Sequence, residues 1–150
     1  MIRPATPADA ATLAAMQEEA SRAGVPHVYP PELYPFPIDA VRERWRSFTE
    51  RGGWAVLAGD DGFVAIDPPW LEALYVRPHA WGGGAAGALH GAAVADLRAR
   101  GVERAHLWVL ERNDRARRFY ERRGWRADGE TRVVEFPPHP IDLRYSLELP

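Results

Sequence analysis

The segment Leu74-Tyr75-Val76-Arg77-Pro78-His79-Ala80-Trp81-Gly82-Gly83-Gly84-Ala85-Ala86-Gly87-Ala88-Leu89 constrains this chain more than any other. An apolar run ends at Val76, Pro78 stops it, and residues 82–87 carry only Gly and Ala. Beyond them Leu89, Ala93 and Leu97 recur at helical spacing until Gly101. A strand that passes through residues without side chains into a helix leaves backbone N–H groups uncovered at the helix N-terminus. There the free donors and the helix dipole both favour an anion such as a pyrophosphate. The same glycines equally let a helix pack closely on a strand. The dinucleotide fingerprint is not met, because no βαβ unit follows, and the P-loop lysine is missing.

A second segment, Leu107–Trp125, reads as a strand followed by a helix that Asn113 opens as N-cap and that ends near Gly124. Ala116, Phe119, Tyr120 and Arg123 share one broad face of it, so Tyr120 is a core or rim aromatic whose hydroxyl needs a partner. Earlier, residues 2–5 read as a strand. Thr6, Pro7 and Asp9 start a helix with a capping box, and that helix runs to Gly24. Asp39 caps a second helix with Val41, Trp45 and Phe48 on one face. Strands follow at 54–58, 63–66 and 70–76, the first two joined by an Asp60-Asp61-Gly62 turn, and two more are expected at roughly 130–136 and 141–149. The order β-α-α-β-β-β-α-β-α-β-β predicts a mixed α/β domain (α+β in some schemes), and a chain of 150 residues reads as one domain, 1–150.

Composition removes whole classes of chemistry. There is no Cys, which excludes disulfides, Cys-rich zinc sites and an acyl-Cys intermediate. All 19 basic residues are Arg, which excludes a lysine Schiff base. A net charge of −2 argues against a nucleic-acid partner, and the five His show no metal-ligand spacing. No apolar run of 18 residues occurs and the first residues carry no signal-like core, so a cytoplasmic protein without a membrane span is expected.

The two segments together resemble the GNAT superfamily of acetyl-CoA-dependent N-acetyltransferases, and the likeness covers nearly the whole chain. The family's loop pattern V-x-P-x-x-[RQ]-G-x-G-x-[GA]-x-x-L is met by Val76, Pro78, Gly82, Gly84, Ala86 and Leu89, with Trp81 at the Arg/Gln position. Its later pattern N-x-x-A-x-x-F-Y-E-x-x-G-[FW] is met by Asn113, Ala116, Phe119, Tyr120, Glu121, Gly124 and Trp125. The resemblance implies a splayed, GNAT-like mixed sheet holding coenzyme A between its two central strands. Leu74, Tyr75 and Val76 would offer backbone groups to the pantetheine arm. Gly82, Gly83, Gly84, Ala85, Ala86 and Gly87 would wrap the pyrophosphate, Asn113 would touch the cofactor arm, and Arg115 and Arg112 would reach phosphate. Trp81 would remove a charge from the loop rim, and would stack on adenine or cover the loop.

Tyr120 would protonate the leaving thiolate, a plausible step for a phenol of pKa about 10 facing a thiol near 8.5. Some relatives carry a base on the strand before the motif's Asn, but Trp108 stands there. Glu72 is the better candidate, since strict strand alternation puts it on the side of Leu74 and Val76. It reads equally as a solvated strand carboxylate. Direct transfer in a ternary complex fits the missing thiol. The acceptor would lie between the loop 25–37 and the last hairpin, where Tyr29, Tyr34, Phe36 and Phe136 are the aromatic candidates. Residues 7–50 carry seven acids against four Arg, mildly suited to a cationic amine on a small molecule or peptide. The resemblance makes a homodimer the default assembly. The rival class is a non-catalytic acyl-CoA-binding or sensor domain of the same fold, motivated by Trp81 and Trp108.

Overall fold

The computed structural model describes residues 2–150. Its seven strands are β1 (Ile2–Pro4), β2 (Trp54–Ala58), β3 (Gly62–Asp67), β4 (Trp70–Val76), β5 (Arg104–Leu110), β6 (Arg126–Val133) and β7 (Ile141–Glu148). The four helices are α1 (Ala10–Gly24), α2 (Ile38–Glu50), α3 (Ala85–Ala99) and α4 (Asp114–Glu121). They build one sheet of order β1-β2-β3-β4-β5-β7-β6, the mixed α/β architecture expected. Every pairing is antiparallel except β4 with β5.

Sequence periodicity explains the layers. Alternate residues of β2–β4 divide between two cores. Ala55, Leu57, Phe63 and Ala65 pack under α1 and α2 with Leu13, Met16, Trp45 and Phe48. Val56, Val64, Ile66 and Val76 pack with Leu89, Ala93 and Leu97 of α3 on the other face. That second core runs on beneath β5 and β7 through Leu107, Val109, Tyr120, Trp125 and Tyr145. Trp125 Nε1 donates to His90 Nε2 (2.9 Å), which ties the chain after α4 to α3.

Local start signals act nearly as written. Thr6 and Asp9 form the capping box, with the Thr6 N–H donating to Asp9 (2.8 Å), but over a short 3₁₀ turn that leads into α1. The Arg3 guanidinium beside Asp9 holds that carboxyl down at about 2. Asp39 is not the cap of α2. The helix begins at Ile38 after Pro37, which puts Asp39 inside its first turn.

Two strands depart from simple alternation. β6 begins at residue 126, not near 130, and stops at 133. Asp128 and Gly129, which resemble a turn, form an irregularity inside the strand. The register shifts between Ala127 and Thr131, and Gly129 takes φ +97. In β4 the partners run Ala65↔Ala73 and then Ile66↔Leu71, so Glu72 is an extra, bulged residue. The central strands scarcely touch. β4 and β5 share the single register pair Trp70↔His106, supported by His106 N–H donating to the Pro69 carbonyl (3.0 Å). Past that point the parallel ladder opens and leaves an edge of β4 free inside the sheet.

Candidate active site

The strand-to-helix turn is the first half of the site. Gly82 and Gly84 take φ of +80 and +89, the left-handed region that favours glycine, and Gly84 is the N-cap of α3. Among the described residues, the N–H groups of Gly82, Gly84, Ala85, Ala86 and Gly87 donate to nothing in the chain. Gly83 differs from the expectation: its N–H is spent on the Ala80 carbonyl (3.2 Å). Five unspent donors converge where the α3 dipole is positive, an anion cradle in physical terms.

Trp81 braces this turn. Its indole N–H donates to the Val76 carbonyl (2.8 Å), and the Arg115 guanidinium lies over its ring, 3.4 Å from the centroid. The charge missing from position 81 is thus returned to the rim by α4. Arg123, which the sequence placed on the shared helix face but not at the cofactor, stacks on Phe119 (3.6 Å), and its Nη2 lies 3.3 Å from where a Gly87 Cβ would stand. The backbone carbonyl of Arg112 accepts from His27 Nε2 (2.7 Å), which pins the loop between α1 and α2 to the end of β5 and leaves the guanidinium uncommitted among the described residues.

The free edge of β4 leads from the cradle into the sheet. Arg77 N–H donates to the Asp61 carbonyl (2.7 Å), which sets the parity of the ladder. Residues 73, 75 and 77 bond across to β3, and the backbones of Leu74 and Val76 face the open side. The Tyr75 backbone is therefore committed to β3, contrary to expectation, and what Tyr75 brings to the site is its side chain. With the Val76 carbonyl taken by Trp81, the free groups are both polar atoms of Leu74 and the Val76 N–H.

Where β4 and β5 part, Tyr120 comes from the α3 face of the sheet and Tyr75 from the α1–α2 face. Tyr120 of α4 is 8% exposed, and burial pushes its phenol pKa above the ordinary 10, with Tyr75 adding to the rise and Arg123 opposing it. Burial likewise raises Tyr75, which also feels Arg44, Asp142 and Glu72. Tyr29 is raised by burial and then by Asp142 and Tyr75. Tyr75 is the link: it raises Tyr120 and Tyr29, and it is itself raised by Asp142. Among the described residues these three phenol oxygens have no hydrogen-bond partner. Tyr29 and Tyr75 are half-buried and Tyr120 is 8% exposed, and none of the three hydroxyls is sealed from solvent.

Helix α4 is fixed for this task. Asn113 Oδ1 accepts the Ala116 N–H (3.2 Å), and Tyr145 donates to Glu121 (2.5 Å) while accepting from Arg117 (3.0 Å). Asn113 is a cap as well as a candidate cofactor contact.

Other candidates land elsewhere. The bulge overturns the alternation argument for Glu72. Its carboxylate points to the α2 side and pairs with Arg44 (2.8 Å), not to the side of Leu74 and Val76. Trp108 stacks on Trp70 (5.9 Å, 13°) and lies beneath Arg132 (4.4 Å). Tyr34 and Phe36 are half-buried in the α1–α2 loop, and Phe136 stands 62% exposed on the β6–β7 turn. Among the described residues, no hydrogen bond or ring–ring contact joins these three to Tyr75 or Tyr120. A cleft of about 270 Å³ separates Val28 from Leu110, Ile141 and Pro140, between that loop and the last hairpin. A larger one, about 520 Å³, lies at the far end of β5 and β7 among Arg104, Asp128 and Glu148, away from the phenols. Asp142 is the residue the sequence did not flag, because only the β5–β7 pairing Leu110↔Asp142 brings it here.

An anion cradle, a free strand edge and a phenol at a parted sheet can be compared with known proteins. The chain is 29% identical to a probable N-acetyltransferase of Mycobacterium tuberculosis over 150 aligned positions, covering 87% of this chain and 82% of that one. Among solved structures it superimposes on a GCN5-related N-acetyltransferase of Rhodopseudomonas palustris with a TM-score of 0.80 at 22% identity, covering 99% and 95% of the two chains. It also matches the fold of YncA, a putative acetyltransferase of Salmonella typhimurium solved with acetyl-CoA. That match has a TM-score of 0.73 at 16% identity and covers 100% and 94%. The acetyltransferase (GNAT) family model matches residues 15–125, a span that takes in the cradle, the open edge and Tyr120. The chain therefore belongs to the GNAT acetyltransferase family, whose cosubstrate is acetyl-CoA.

Proposed function

We propose that the protein moves the acetyl group of acetyl-CoA directly onto a primary amine of a small molecule or peptide. The observation that carries this is one continuous run of unspent polar groups. It starts at the five N–H donors of residues 82–87, follows the open edge of β4 and ends at the Tyr120 phenol.

The cradle suits the pyrophosphate, because preformed donors and a helix dipole favour an anion without ordering any side chain. Arg115 and Arg123 add positive charge at its rim. Leu74 and Val76 can bond the amides of the pantetheine arm as a neighbouring strand would, with the Asn113 carboxamide N–H₂ available on the opposite bank. The acetyl thioester then reaches the gap between β4 and β5.

At that gap Tyr120 keeps its proton at neutral pH, because burial disfavours the phenolate. A neutral phenol donates a hydrogen bond to negative charge growing on sulfur, and transfers its proton as the C–S bond breaks. The amine must arrive from the other face, past Tyr75 and Tyr29, and must shed a proton before it attacks. Glu72 sits at that rim held by Arg44, so it steadies α2 against β4 more than it offers a free base.

The test is release of coenzyme A thiol with a panel of amines, set beside Tyr120→Phe. Turnover by the wild-type chain, sharply reduced in the variant at unchanged coenzyme A affinity, is the expected result. Tight acetyl-CoA binding without turnover on any amine would favour the sensor alternative.

A further inference from the structure

Asp142 lies on β7 opposite Leu110, the last residue of β5, where the central strands have already parted. Its side chain is 9% exposed. One oxygen, Oδ2, accepts from Arg132 Nε (3.0 Å). Oδ1 has no partner among the described residues and is not sealed from solvent. A carboxylate this deeply placed ordinarily satisfies both oxygens. Arg132 from β6 pairs with it, and the α1–α2 loop that carries Tyr29 closes on this end of β5, where His27 bonds the Arg112 carbonyl and Val28 lines a cleft with Leu110 and Ile141. Tyr75 lies on the α1–α2 face of β4, and the charge of Asp142 raises both phenols, with the Arg44–Glu72 pair acting on Tyr75 in turn. One half-satisfied carboxylate and two unpartnered phenols therefore gather at the end of β5 where the central strands have parted. A primary ammonium fits that set. It carries three donors for three acceptors and a charge complementary to Asp142, and the phenol rings supply cation–π faces.

We propose that Asp142 anchors the ammonium group of the acceptor and takes its proton, which makes primary alkylamines the substrate class; this rests on the acetyltransferase function above. R–NH₃⁺ gives one proton to Asp142. The nitrogen lone pair forms the C–N bond as the C–S bond breaks. The leaving sulfur takes the Tyr120 proton, and the second amine proton restores Tyr120. Asp142 then returns its proton to solvent, so the sum is amide, free thiol and one proton. Burial lifts the Asp142 carboxyl above the usual carboxylate range while Arg132 opposes the rise, which makes it a better acceptor than an exposed Asp.

The experiment uses n-butylamine, tyramine and spermidine as acceptors, with coenzyme A affinity measured on each variant. Asp142→Asn is expected to lower kcat/KM about a hundredfold and to abolish the acid limb of its pH profile. Asp142→Glu should recover part of the rate. Arg132→Gln should move the acid limb to higher pH while activity persists. Equal kcat/KM in Asp142→Asn, an unshifted limb in Arg132→Gln, or no acetylation of any of the three amines by wild-type protein that binds coenzyme A would overturn the proposal. Failure of the wild type to bind coenzyme A would instead strike at the acetyltransferase function itself. Thermal unfolding of each variant separates misfolding from chemistry, and if Asp142→Asn does not fold the Arg132→Gln profile decides alone.

Discussion

Replacing Arg115 with Ala should weaken coenzyme A binding about tenfold, through a contact that depends on Trp81. The guanidinium lies 3.4 Å from the indole centroid, and Trp81 is in turn bound through Nε1 to the Val76 carbonyl at 2.8 Å, so the charge is held beside Gly82 by one rigid aromatic. A charge-assisted bond to phosphate contributes about 1.5–3 kcal/mol. Arg115 is exposed, so solvent screening favours the lower end, and about 1.4 kcal/mol is a tenfold change in Kd. Losing the cation–π contact also costs about 0.5–1 kcal/mol of folding stability, a fall of about 1–4 °C in Tm at this chain length. Titration calorimetry with coenzyme A at two salt concentrations, run on Arg115→Ala, Trp81→Ala and the double variant, reads both effects. If Trp81 does no more than aim Arg115, the double variant binds about as weakly as Arg115→Ala alone. Wild-type affinity in Arg115→Ala, or losses that simply add in the double variant, would refute the reasoning.

Tyr120→Phe should lower kcat by about a hundredfold with coenzyme A affinity within about twofold, measured by thiol release and by calorimetry. Gly84→Ala forces a side chain onto φ +89 at the α3 cap, although space around it is open; a loss of about 1–2 kcal/mol in urea unfolding and weaker coenzyme A binding are expected. Leu89, fully buried beneath the cradle, should cost about 2–5 kcal/mol as Leu89→Ala in the same assay. Burial and Arg123 hold His90 down at about 4, below its ordinary 6.5. The unfolded chain therefore takes the proton first, and His90's contribution, complete above pH 6.5, is lost as pH falls from 6.5 through about 4. His90→Gln keeps an acceptor for Trp125 without titrating, so its urea midpoint should fall less between pH 7 and 4.5; an equally steep fall would exclude His90 as the source.

What the sequence made legible is what lies within one strand, turn or helix. The run of small residues at 82–87, the Asn113 cap and the capping box at Thr6 are local devices, so their meaning survives without knowing what packs on them. Pairing across the sheet is different. Strict alternation aims Glu72 at α3, but one extra residue in β4 turns it to Arg44 of α2 instead, and no local pattern marks Glu72 as the bulge. Asp142 looks like an ordinary strand acid until Leu110↔Asp142 pairs it to the end of β5. Arg123 reaches Gly87 only because α4 packs beside α3, and Arg115 restores a missing loop charge from more than 30 residues away.

The parted sheet gives these long-range placements a common reason. A free strand edge inside a sheet is a liability, since unpaired N–H and C=O groups seek a partner. Here both halves can tolerate it because neither depends on the β4–β5 ladder for its core. The β1–β4 half is held between α1–α2 and α3, and the β5–β7 half is held by α3 and by Tyr145 anchoring α4. The single Trp70↔His106 pair, covered by the Trp70–Trp108 stack, closes one end of the gap. The other end stays open between the cradle and Tyr75. An extended ligand with amides along its length and an anion at its end is what such an edge accepts, and a bulky aromatic at position 108 in place of a carboxylate is compatible with that. Trp108 helps keep the gap closed below the reacting groups, and the acid for the acceptor is free to come from β7.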